Sequence, residues 1–229
     1  MYNNSQHVYD GQFINLILKG PFSYPNMVEK NTIGDGSCFF HAVTDGFYLP
    51  YKAGYVIENG KVVPFDRQQS IRKLRNDLAD KLSQPVDKKH LPKNFTSRSP
   101  TPTYYDILSN GSLADYAKGS GLGEYSLGGM QQLLRSSNPV DVVYQELLSI
   151  LFDIDIYVID FNTGDIAVYP DSPAYQNRNS VVISYHANTV HYNLVGIDNG
   201  GTITTFFKTD DNFILAIKNR LRSRQPQQF

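Results

Sequence analysis

A single cysteine, Cys38, is the only thiol in 229 residues, and that scarcity excludes a good deal. No intramolecular disulfide can form. A thiolate-based structural zinc site has no ligand set either, because the five histidines are scattered without metal-type spacing. One unpaired thiol suits a reducing compartment. Tryptophan is absent, and neither sign of charge is in excess: 21 Lys and Arg against 22 Asp and Glu leave a formal net charge of −1. Bulk electrostatics therefore give no reason to expect nucleic acid or an anionic membrane as partner. Long hydrophobic runs are missing too. The longest, Leu147 to Phe152, is broken by Ser149 and is far too short to cross a bilayer. The polar stretch Met1 to Gln12 lacks the basic-then-apolar pattern of a secretory signal.

What is present is a chain with the composition of a folded globular protein, 41% hydrophobic and only 19% charged, long enough for one domain with a real core. Asp10 is expected to cap a first short helix that Gly20 and Pro21 stop after Lys19. Asn59-Gly60 between Ala53–Ile57 and Lys61–Phe65 predicts a hairpin. Asp66 opens an amphipathic helix with Ile71, Leu74, Leu78 and Leu82 on one face, closed before Pro85. Residues 85–138, punctuated by prolines and glycines but rich in Phe and Tyr, read as a loop-rich helical insertion on the domain surface. Asn138-Pro139 starts a helix running through Leu151. Five strand-like stretches follow: Ile154–Phe161, Asp165–Tyr169, Val181–Tyr185, Val190–Ile197 and Thr202–Phe207. A last helix is capped by Thr209 or Asp210 and ends in Lys218, Arg220, Arg222 and Arg224. This order predicts a mixed α/β (α+β) layered domain with a mostly antiparallel central sheet of about five strands packed between helices.

Two segments carry candidate chemistry. Cys38 follows Gly34-Asp35-Gly36-Ser37 and opens the apolar run Phe39, Phe40, Ala42, Val43. A helix starting at the thiol would set sulfur against a positive helix end and lower its pKa, while N–H groups of the glycine turn could meet a tetrahedral oxyanion. A lone cysteine is more often a small buried hydrophobe, so this segment does not stand alone. The second segment is Val190-His191-Tyr192-Asn193-Leu194. On a strand, His191 and Asn193 share a face, the arrangement of a base and its orienting carboxamide. His186 lacks the Tyr-Asn continuation and is disfavoured as the base. The Gly119–Gly129 stretch lacks the Lys-Ser/Thr ending of a phosphate loop.

Taken together, Asp35-Gly36-Ser37-Cys38-Phe39-Phe40-His41-Ala42 and His191-Tyr192-Asn193 resemble the nucleophile and histidine motifs of the ovarian tumour (OTU) family of cysteine proteases. The likeness covers about residues 31–48 and 139–197. It implies a papain-like fold and a deubiquitinase that hydrolyses isopeptide bonds through an acyl-enzyme, with ubiquitin or polyubiquitin chains as partner and no cofactor. By matching position it makes Cys38 the nucleophile, His191 the base, Asn193 the orienting residue, and Asp35 the acidic residue of the oxyanion loop. Gly36, Ser37 and Tyr192 would contact substrate, and His41 reads as structural. Asn in place of Asp at position 193 keeps orientation but weakens support for an imidazolium. The other readings are a catalytically silent ubiquitin-binding module and a protease for another ubiquitin-like modifier. A cytoplasmic monomer is expected, or one in the host-cell cytosol should the source be a pathogen.

Overall fold

Alternating β-branched and aromatic residues build the centre of the molecule. In the computed structural model, which describes residues 12–91, 100–110, 113, 125–140, 143–167 and 176–224, ten strands are present. They are β1 (Phe13–Asn15), β2 (Met27–Lys30), β3 (Tyr55–Glu58), β4 (Lys61–Pro64), β5 (Asp155–Asp160), β6 (Asp165–Ile166), β7 (Ser180–His186), β8 (His191–Asp198), β9 (Ile203–Thr204) and β10 (Phe206–Phe207). Eight of them form one sheet in the order β1-β2-β8-β7-β5-β6, with β9 on β8 and β10 on β7. All pairs are antiparallel except β5 with β7.

The sheet divides the apolar residues by the two-residue period of the strands. Ile156, Val158, Val181, Ile183, Tyr192 and Leu194 face one core, with helices α1 (Cys38–Phe47) and α6 (Val143–Phe152). Tyr157, Ile159, Val182, Val195 and Ile197 face the other, under α7 (Asn212–Arg224). Helices α2 (Leu49–Ala53), α3 (Arg67–Leu82), α4 (Tyr104–Asn110) and α5 (Leu127–Arg135) complete the α1 side. None of the helices is long and apolar enough to cross a membrane among the described residues.

The mixed α/β layering agrees with the sequence expectation, and the sheet is larger than the five strands anticipated. The expected helix before Lys19 is corrected: the described part of that stretch holds β1, which pairs with β2. Its conformation is set by a partner strand, not by a local cap. The hairpin and the Asp66 cap stand as read. Asn59 and Gly60 take φ of 50° and 76°, as a tight hairpin turn requires, and Asp66 Oδ1 accepts from Gln69 N–H at 2.9 Å. The final cap is one residue later than expected, with Asp211 Oδ1 accepting from Phe213 N–H. The stretch expected as a surface insertion sends Tyr104, Ile107, Leu108, Met130 and Leu134 into the main core.

Candidate active site

Helix α1 begins at Cys38, whose side chain is buried in the core beside Phe39 and Tyr192. His41 N–H to Ser37 O is the first helical bond, so the N–H groups of the residues before it have no intrahelical acceptor. The turn leading into the helix is held from three directions. Gly36 has φ of +81° and lies so close to the chain at Ser137 that a Cβ there would sit 1.8 Å from the Ser137 carbonyl oxygen. Asp35 Oδ1 accepts from Ser37 N–H at 3.0 Å. His41 Nε2 meets the same carboxylate at 3.1 and 3.2 Å, and its Nδ1 meets Tyr51 Oη at 2.6 Å. Burial pushes the Asp35 carboxyl up, but the His41 ring and the Ser37 N–H outweigh it and hold the group below its usual range.

The third support is Arg75, from α3. Its guanidinium is 1% exposed. Nε donates to Leu134 O, Nη1 to Gly36 O and Ser37 Oγ, and Nη2 to Leu133 O and Asn138 O, all within 2.8–3.1 Å. A cleft of about 490 Å³ opens on that side of the turn, lined by Asp35, Ser37, Arg72 and Arg75 among others. Neither Cys38 nor His191 lines it.

The thiol is not acidified as the helix start suggested. Burial pushes the Cys38 pKa up, with the Asp35 carboxylate adding to it, and together they outweigh hydrogen bonding from the backbone of Tyr192 and Phe39. The Tyr192 contact matters for another reason, because it sets the sulfur beside the residue that follows His191. Phe39 and Tyr192 pack edge-on with ring centroids 5.3 Å apart, which fixes α1 against the start of β8.

His191 is the first residue of β8 and is half-buried. Val190 before it is exposed and takes φ of 51°, a left-handed conformation costing a β-branched residue roughly 1–3 kcal/mol. His191 and Asn193 do share a face, as expected, but it is the face opposite Tyr192 and α1. The His191 ring meets Thr32, with Nε2 3.4 Å from Thr32 Oγ1. Thr32 is a residue that sequence reasoning passed over. Its hydroxyl also donates to Tyr192 O at 2.6 Å and its N–H donates to Asn193 Oδ1 at 3.4 Å. The Asn193 amide nitrogen turns to Glu29 Oε2 at 3.3 Å and lies 3.4 Å from His186 Nε2.

Among the described residues no group of three or more His, Cys, Asp or Glu could hold a metal ion. Neither a family model nor a curated protein sequence matches the chain. Among solved structures, the chain is similar to an ovarian tumour (OTU) domain in complex with ubiquitin, at 13% identity over 86% of this chain and 83% of that one, with a TM-score of 0.47. It is also similar to an OTU deubiquitinase from Wolbachia pipientis wMel, at 17% identity over 79% of this chain and 94% of that one, with a TM-score of 0.42.

Proposed function

We propose that this protein is a thiol isopeptidase acting on ubiquitin conjugates. Cys38 is the nucleophile, His191 the base and then the acid, and Asn193 the orienting carboxamide. The observation that carries the reading is the meeting of the two motif segments: the Cys38 sulfur lies against the Tyr192 backbone, one peptide from His191. A thiol held up by burial needs a base, and the imidazole next in sequence to that contact is His191, the first residue of β8. Catalytic hydrogen bonds commonly tighten only when substrate is bound. The thiolate attacks the carbonyl of the modifier's C-terminal glycine. The imidazolium gives its proton to the departing lysine amine, and water then releases the acyl-enzyme. N–H groups at the start of α1, which have no intrahelical acceptor, are the donors for the oxyanion, since the Ser37 N–H is taken by Asp35. Asp35 acts through the shape of that turn. Gly36, Ser37 and Tyr192 form the walls nearest the scissile bond.

A ubiquitin–propargylamide probe tests this. Covalent labelling of the wild type, abolished in a folded Cys38→Ala variant, is the expected result. No labelling of the wild type, beside a labelled control enzyme, would overturn the substrate assignment.

A further inference from the structure

The sheet face turned away from α1 carries a cluster of polar side chains between β2, β8 and β7. Register aligns Glu29 with Val195, Asn193 with Ser184, and His191 with His186, so all these side chains stand on one face. Glu29 Oε2 accepts from Ser184 Oγ at 3.0 Å, from His186 Nε2 at 2.9 Å and from Asn193 Nδ2 at 3.3 Å. The His186 ring is itself fixed by stacking on Phe161, with centroids 4.4 Å apart and planes at 25°.

Ser184, His186 and Glu29 have the composition of a second catalytic triad, but not its geometry. Ser184 Oγ lies 3.3 Å from the same Nε2 that faces Glu29, so there is no relay through the ring. Ser184 is also fully buried. The cluster must do something else, since a buried carboxylate seated on an imidazole is seldom the most stable way to fill a sheet face.

We propose that Glu29, seated against His186, is a positioning residue that fixes which way the Asn193 carboxamide points and thereby orients His191. An ionised carboxylate offers only acceptors. Burial pushes the Glu29 carboxyl up, but His186 together with the hydrogen bonds from Ser184 and Asn193 outweighs it and holds the group below its usual range. It therefore takes the NH2 end of Asn193 and directs Oδ1 the other way, to the Thr32 N–H. That end is where the His191 ring sits, its Nε2 beside the Thr32 hydroxyl. A flipped amide would set carbonyl against carboxylate. The inference rests on the thiol-hydrolase reading, and it gives Asn193 the acceptor orientation that reading needs.

The test compares wild type with Glu29→Gln, Glu29→Leu and the double variant Glu29→Leu/His186→Leu. The double variant removes the carboxylate and its imidazole partner together so that neither is left buried without the other. With a fluorogenic ubiquitin substrate, kcat is expected to fall by roughly tenfold to a hundredfold in both leucine variants with KM little changed. Glu29→Gln, whose carbonyl still accepts from Asn193, is expected to recover most of the loss. A folded double variant with wild-type kcat overturns the proposal, as does a glutamine variant no better than the leucine one. If the wild type cleaves no ubiquitin substrate, the substrate assignment falls separately. The rate of Cys38 alkylation by iodoacetamide near neutral pH then reads the same ranking without any substrate. Equal alkylation rates in all four proteins overturn the positioning role.

Discussion

Gly36 is the residue on which the setting of Cys38, the proposed nucleophile, most sharply depends. Its φ of +81° costs any other residue backbone strain, and the space for a Cβ is occupied by the Ser137 carbonyl 1.8 Å away. Gly36→Ala must therefore displace either the turn or the segment behind it. The turn bears Ser37 and starts α1, so kcat is expected to fall on the order of a hundredfold, in keeping with a misplaced reacting group. Gly60→Ala is the matched control. Its φ is +76° with nothing within 4 Å of a Cβ, so it should cost about 1 kcal/mol of stability with activity intact. Steady-state kinetics and thermal melts on the two variants separate local strain from loss of site geometry. The candidate site residues visible in the sequence were those inside short motifs, Cys38 and His191 above all. Thr32 and Glu29 were not visible, because what they do follows from the register of β2 against β8, across more than 150 positions of sequence. No local spacing encodes that pairing.

At the scale of elements, the same contrast decides which parts of the fold could be read. The Asn59-Gly60 hairpin and the Asp66-capped α3 declare themselves through turn and cap chemistry within a few residues. Strand β2 does not, because Met27-Val28-Glu29-Lys30 buries all four side chains, two of them charged, and shows no alternation. Its charged residues find partners only after folding, Glu29 on one face and Lys30 with Asp45 at 2.8 Å on the other. The basic end of α7, read as compatible with a helix C-terminus, has a further use. Arg220 Nε and Nη2 each donate to Asp165 at 2.8 Å, and Arg224 joins them, clipping α7 to β6. The Arg220 bonds hold the Asp165 carboxyl below its usual range. A carboxyl with a depressed folded pKa contributes stability that is present above its unfolded value, near 3.9, and lost as pH falls through the folded one. Asp165→Asn should accordingly lower Tm at pH 7, with the gap to wild type closing as the pH falls toward 2. A gap that stayed constant over that range would mean the clip works by packing alone.

The whole molecule has to bring an early turn and a late strand together, and it does so with α1 as the spine between α3 and the sheet. On the sheet side the join is apolar, Phe39 against Tyr192. On the other side it is polar and runs through Arg75, which reaches the nucleophile turn at Gly36 and Ser37, the end of α5 at Leu133 and Leu134, and Asn138. Two stretches distant in sequence, 36–37 and 133–138, are thus tied to α3 by one planar cation, which anchors the end of the 85–138 stretch behind the site. Lysine cannot replace it, because an ammonium has three donors at one point where five acceptors surround a fork. Arg75→Lys removes at least two of these five charge-assisted bonds, at about 1–3 kcal/mol each. The expected loss is roughly 2–6 kcal/mol, against roughly 2–4 °C of Tm per kcal/mol for a chain of this size. Activity should fall in the variant even at temperatures where it remains folded, because the Gly36–Ser37 turn is held by Nη1 of the guanidinium fork, a position that an ammonium does not reproduce. A variant with lowered Tm but unchanged kcat below its transition would show that the Gly36–Ser137 contact and the Asp35 carboxylate suffice to set the turn before Cys38.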